Sequence, residues 1–432
     1  MQSTRRSFIK KAAATAAIGA AILRDDAIGR IQAAVADVGN ASANDLADNE
    51  DFWFQVQQAY DVDRSIINLN NGGVSPAPRT ALDAMRRHVE FTNQLPPRHL
   101  WNVLDKQLDP VRERLARAFG CDTEEMAFVR NTSEALETCL FGIDLKRGDE
   151  VLATSHDYPR MLNTLRQREQ REGIVLKTFN IPTPPKDMGE LVSLYRKNLS
   201  DRTKAILVCH ITNLTGQIFP VKEITQLGRE RAIPVIVDGA HAFGHFPFKR
   251  DELNCDYYGT SLHKWTSAPI GTGFLYVRKS RIKDLWPMMA APKERVDDIR
   301  KFEEIGTHPT APYLAVAEAL TLYDSIGPQR KAARLRYLRD RWMKRLKDQR
   351  GIVLYTSFQP SQSCCLATVG IEGVDPGKLS SHLFEKHRVL VTPIVHEHIS
   401  GIRVTPNTYS TIREVDRFAD AMEKIAGHGL PG

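Results

Sequence analysis

A chain of 432 residues, 42% hydrophobic and 26% charged, has an ordinary globular composition and room for one large two-part enzyme or two to three smaller domains. Its formal net charge is +7, from 59 lysines and arginines against 52 acids, and residues 1–36 carry +4 of it. The +3 left for the rest, with no basic stripe interleaved with aromatics, excludes a dedicated nucleic-acid surface.

At the amino end, "STRRSFIK" precedes an alanine-rich apolar stretch at residues 12–23. That stretch is shorter than the roughly 20 residues a spanning helix needs. A charged start, a short apolar run and an Ala34-Val35-Ala36 site predict an export signal over residues 1–36, outside the fold. Arg5, Arg6, Phe8 and Lys10 resemble the twin-arginine signal, an address read by the export machinery. The resemblance implies a periplasmic protein folded in the cytoplasm, any cofactor already loaded, with the signal either cleaved or kept as an anchor. Residues 37–50, "DVGNASANDLADNE", are small, polar and acidic and read as a linker.

Beyond it, short apolar runs alternate with stretches of helical period: "EMAFVRN", "EVLATSHD", "IVLKTFNI", "AILVCHIT", "PVIVDGAH", "CDYYGTSLH" and "GTGFLYVR". Nearly continuous apolar strands separated by helices predict an α/β domain, a mainly parallel (mixed) sheet sandwiched by helices. After about residue 315 a basic helical region, "PQRKAARLRYLRDRWMKRLKDQ", leads into "CCLATVGIEG", "RVLVTPIV" and "GIRVTPN". This reads as a smaller C-terminal α+β domain, the cationic helix face being solvated. The six cysteines show no CxxC pair and no metal-ligand spacing with histidines, so no metal site is expected.

In open α/β sheets, ligands bind beyond the carboxyl ends of the strands. Those ends carry Asn131, Thr132 and Ser133, then His156 and Tyr158, His210 and Asn213, Asp238 and His241, and finally Ser261, His263 and Lys264. A lysine amine forms a Schiff base with an aldehyde cofactor when its surroundings keep enough of it neutral. Pyridoxal phosphate asks for that lysine, a phosphate cradle, an aromatic against its ring and an acid at the ring nitrogen. The set supplies a candidate for each.

From about residue 67 to 424 the chain resembles the class V aminotransferase family of fold type I pyridoxal-phosphate enzymes, nearest the isopenicillin N epimerase-like branch. The likeness runs in order through "NLNNGGVSPAP", "VRNTSEALE", "HITNLTGQIFPV", "VDGAHAFGH", "GTSLHKW", "EIGTH" and "IRVTPNTYSTIREVDRF". It implies a cofactor domain at residues 71–315, a small domain at 316–432 and a segment, 51–70, packing on the small domain. It makes Lys264 the Schiff-base residue and proton shuttle, and pairs Asp238 with the pyridine nitrogen. Tyr158 becomes the stacking aromatic, with His156 as the alternative. Thr132, Ser133, Ser261 and His263 form the phosphate cradle, and Asn213 bonds the cofactor's phenolic oxygen. Thr307 is lent by the partner of a homodimer, and Arg403 binds the substrate's α-carboxylate.

Two positions depart from the related desulfurases. His241 stands where many of them carry glutamine, so that it contacts either the phenolic oxygen or the substrate. "VTPIVHEHISGIR", before Arg403, contains His396 and His398 but no cysteine to take sulfur. The expectation is an exported enzyme acting at the α-carbon of an amino acid or related amine. Amino transfer comes first, with epimerisation, racemisation or β-elimination as the alternative and desulfuration disfavoured. An exported binding module on the same fold stands as the non-enzymatic alternative.

Overall fold

The computed structural model describes residues 27–430, so the arginine pair and the apolar stretch behind it lie outside the described residues. A first short strand, β1 (Ile67–Asn68), precedes the main sheet. That sheet is built from β2 (Met126–Val129), β3 (Glu150–Thr154), β4 (Val175–Phe179), β5 (Thr203–Cys209), β6 (Val235–Asp238), β7 (Tyr257–Ser261) and β8 (Gly273–Val277). These are the seven apolar runs of the sequence, in the spatial order β2-β8-β7-β6-β5-β3-β4. Only β8 runs against the others, antiparallel to both β2 and β7.

Alternation along the pleat splits these strands between two cores. Val235 and Val237 of β6 join one with Phe119, Ile206, Val208 and Tyr258. Ile236 joins the other with Ala205, Leu207, Tyr257 and Leu275. Helices such as Thr132–Gly142 and Pro159–Glu172 follow β2 and β3, as their periodicity predicted. With both faces covered, every residue of β2, β3, β6, β7 and β8 is buried.

The smaller sheet takes β9 (Ile352–Leu354), β10 (Ala367–Ile371), β12 (Thr392–His396) and β13 (Ile399–Val404), all antiparallel, in the order β12-β13-β10-β9. Between them β11 (Val389–Leu390) pairs in parallel with β1, and Asn70 bridges Thr405. The segment before the main sheet is thereby stitched to the C-terminal strands.

The structure corrects the sequence reading in three places. Ala27–Asp37, all but its last residue assigned to the export signal, is a helix whose Ile31 is buried with Trp53, Val56, Leu322 and Ile326. Residues 37–50, read as a linker, are tied down. Trp53 Nε1 donates to the Leu46 carbonyl at 2.7 Å and Arg334 to that of Ala47 at 3.0 Å. Apolar residues at helical spacing suit a signal and a packed helix equally, so the pattern alone did not separate them. The basic helix Pro328–Leu346 is likewise not merely solvated, since Lys331, Arg334 and Arg339 are buried. Arg334 pairs with Glu50 at 2.5 Å and packs over Trp53, while Lys331 donates to the Trp265 carbonyl. Among the described residues no helix is long and apolar enough to cross a membrane.

The turn after β5 fixes the approach of the two sheets. Ile211 bridges Ile218, and Gly216 closes the turn at φ +75°, where a Cβ would lie 1.9 Å from the Leu366 carbonyl oxygen. An added methyl meets backbone there, and the left-handed conformation adds strain. Gly216→Ala is expected to cost about 3 kcal/mol or more, read as a lower urea midpoint. An unchanged midpoint would show that the turn yields freely.

Candidate active site

The strand ends converge on one cavity of about 570 Å³. Its lining brings together Thr132, Ser133, Tyr158, Asn213, Asp238, His241, Ser261, His263, Lys264 and Arg403, ten residues singled out from sequence and drawn from both sheets. Gly239 allows β6 and β7 to pack this tightly at the cavity edge. A Cβ there would stand 2.1 Å from the Tyr258 ring.

Lys264 lies just beyond β7, partly buried, its Nζ 3.4 Å from His241 Nε2. Burial pulls its pKa down to about 8. The Asp238 carboxylate opposes that shift and the Arg403 guanidinium adds to it. His241 is fully desolvated, which holds its pKa well below the ordinary imidazole value. Trp265 Nε1 donates to His241 Nδ1 at 3.4 Å. An indole nitrogen only donates, so Nδ1 accepts and the proton of the neutral imidazole sits on Nε2. Nε2–H then points at Nζ, a contact satisfied when the amine is neutral and offers its lone pair. His241 and Trp265 thus orient the reactive form of the lysine. Asp238 ends β6 with Oδ1 accepting from the Ala240 N–H at 3.0 Å, and burial raises its pKa.

At the opposite wall, Asn131 caps the helix Thr132–Gly142 by accepting from the Glu134 N–H at 2.9 Å. Ser261 Oγ accepts from the Thr132 N–H at 2.9 Å and lies 2.8 Å from Thr132 Oγ1. Hydroxyls clustered at a helix N-terminus suit a phosphate, which the free N–H groups and the helix dipole both favour. Arg403 enters from β13. Its Nη1 donates to the Asn213 carbonyl at 3.1 Å and its Nη2 to Asn70 Oδ1 at 3.2 Å, while Nε is buried without a partner. Among the described residues no carboxylate pairs with this guanidinium, and burial lowers its pKa to about 10. Asn213 Oδ1 is likewise buried and unpartnered at the cavity.

Two expected residues stand apart. His156 is fully buried but does not line the cavity; its ring lies against His396 and His398, 5.2 and 6.2 Å between centroids. Of the two aromatic candidates after β3, Tyr158 is the one at the cavity. Thr307 lines a separate groove with Trp101, Asp105 and Tyr313, away from Lys264 of its own chain. Conversely, the sequence reading missed Asn70, which steadies Arg403, and Trp265, which orients His241, although both lie within stretches already marked by the family likeness. Cys209 lines the cavity as a buried thiol whose pKa burial pushes well up, and Cys364 and Cys365 are fully buried.

The residues present fit pyridoxal phosphate: a desolvated amine, a buried carboxylate, a hydroxyl-lined helix terminus and an orphaned amide oxygen surround one cavity of suitable volume. Covalent uptake of the aldehyde needs the neutral amine, which predominates above the Lys264 pKa of about 8. In the cofactor-free chain, the rate at which visible absorbance appears is expected to rise with pH and level off above about 8. A rate that kept climbing toward about 10.4, the value of an ordinary lysine, would contradict this environment.

Comparison with known proteins agrees. The family model for aminotransferase class V matches residues 67–418. The chain is similar to isopenicillin N epimerase of Streptomyces clavuligerus, 29% identical over 400 residues, covering 87% of this chain and 98% of that one. It is also similar to a probable cysteine desulfurase of Methanothermobacter thermautotrophicus, 23% identical over 393 residues, 85% of this chain and 96% of that one. Among solved structures, the apo cysteine desulfurase of Thermococcus onnurineus NA1 shares the fold with a TM-score of 0.75 at 20% identity, over 87% of this chain and 98% of that one. A C-DES variant with glycine covalently linked to its PLP cofactor gives a TM-score of 0.74 at 20% identity, over 83% and 97%. The chain belongs to the aminotransferase class-V family, as an enzyme whose cofactor is pyridoxal 5′-phosphate.

Proposed function

We propose that this enzyme removes and returns the α-proton of an amino acid, an epimerase or racemase reaction. The observation that carries the substrate class is Arg403, a buried guanidinium with no carboxylate partner among the described residues, in the same cavity as Lys264. A planar fork with unused donors suits an α-carboxylate. Relatives named isopenicillin N epimerase, matched over 98% of their own length, move the weight from amino transfer, the first expectation from sequence, toward proton exchange. Desulfuration needs a cysteine that can reach the substrate; the β12–β13 hairpin has none, and the cysteine at the cavity is buried.

In this reading Arg403 docks the carboxylate and fixes the α-carbon over the site. Bound pyridoxal phosphate supplies the sink for the electron pair left at that carbon. Asp238 would hold the proton on the ring nitrogen. Lys264 Nζ would receive the α-proton, with His241 Nε2–H directing its lone pair. Inversion needs a second proton donor, and the Tyr158 phenol lines the same cavity.

We also read the enzyme as an exported homodimer in which Thr307 serves the partner's phosphate site. Exposed Ile270, Trp286 and Met288, the last at the cavity itself, support an apolar interface.

Incubating the holoenzyme in D₂O with a panel of amino acids tests the reaction. The expected result is α-deuterium in both enantiomers of the favoured substrate, without 2-oxo acid. Arg403→Met is expected to slow this about 100-fold, the worth of two charge-assisted hydrogen bonds, with the cofactor absorbance retained. Accumulation of 2-oxo acid would establish amino transfer instead, and release of a β-substituent would establish elimination.

A further inference from the structure

Beside the cofactor cavity lies a second cluster that the chemistry above does not use. His156 follows the end of β3, His396 ends β12 and Glu397 opens the turn to β13. One ligand atom from each lies within 4.8 Å of the others. His156 is fully buried, yet neither ring nitrogen has a hydrogen-bond partner, and His396 Nε2 is buried without one too. An imidazole with both nitrogens desolvated and unpaired is costly unless something is meant to meet them. The carboxylate of Glu397 stands 3.8 Å from His396 Nε2, too long for a hydrogen bond. Glu397 itself sits at φ +50°, an uncommon conformation for a glutamate, which places the carboxylate on this turn. His398, its ring 6.2 Å from that of His156, lies outside this group of three.

We propose that His156, His396 and Glu397 bind a divalent transition ion, zinc by the chemistry of two imidazoles and one carboxylate. Such a donor set suits borderline ions over magnesium or calcium, which take oxygen ligands. Bond lengths of about 2.0–2.2 Å require the three ligand atoms to draw together slightly, and the hairpin turn is the element free to do so. The ligands come from two sheets distant in sequence, which is why no metal spacing shows in the chain. An ion here would pin the hairpin to the end of β3. Because β13 carries Arg403 and the β3 turn carries Tyr158, the ion would fix the arm that positions substrate against the cavity. The inference is independent of which reaction the enzyme performs.

Holoenzyme purified without an affinity tag, dialysed against metal-free buffer and titrated with zinc chloride, tests the site by calorimetry and elemental analysis. The expected result is one zinc retained per chain and a melting temperature that rises with added zinc. His396→Ala and Glu397→Gln alter partly exposed positions and spare the buried His156, so both should fold and keep the cofactor absorbance. His396→Ala is expected to bind zinc at least about 100-fold more weakly, since loss of an outer-shell partner alone costs 10–100-fold. Zinc held by the cofactor or by surface histidines would survive in the variants. Wild type binding no more zinc than His396→Ala would overturn the proposal, as would both variants binding as wild type does.

Discussion

A lysine amine is reactive near neutral pH only if something takes away the water that stabilises its charge, without an acid so close that the charge returns. Lys264 meets both conditions. Burial lowers its pKa, Asp238 pulls the other way, and Arg403 offsets part of that pull. Removing either charged neighbour shifts the balance, so the proposed cofactor anchor and the proposed substrate clamp are electrostatically one unit. His241, itself held neutral by burial and oriented by Trp265, gives the amine a direction as well as a protonation state.

Depressed basicity alone does not make a site. Lys331 is buried more deeply, its pKa lowered to about 7, yet it donates into the Trp265 carbonyl and lines no part of the cofactor cavity. It serves the wall behind Lys264. What separates the two lysines is topology: β6 and β7 end side by side in the parallel part of the sheet, so whatever follows them must share one space. The small sheet closes that space from the other side by sending in Arg403 on β13, and β1 stitches the segment that supplies Asn70 to the same sheet.

The sequence made the sheet and most of the site legible for one physical reason. Nearly continuous apolar runs name the buried parallel strands, and the first polar residues after each run must then meet at the sheet's carboxyl edge. That placed Asp238, His241, Ser261 and Lys264. The reading failed where periodicity carries no information. Between His156 and Tyr158 the backbone turns, so no strand or helix period says which side chain faces the cavity. Asn70 reaches Arg403 across a separation of 333 residues, beyond any local pattern. The cations of the Pro328–Leu346 helix read as solvated because composition cannot show the buried acceptors that wait for them, the Trp265 carbonyl for Lys331, that of Ala47 for Arg334 and Ser363 Oγ for Arg339. The hidden apolar residues Leu46 and Ala47 likewise sit in a run whose average is polar.

Lys264 and Lys331 share a lowered basicity, which gives the central claim a sharp test. Reduction of the holoenzyme with borohydride, followed by peptide mass mapping, traps the cofactor on whichever amine holds it. The account predicts that the label falls on the peptide bearing Lys264 and on no other. A label on Lys331, or one spread over exposed lysines, would contradict it.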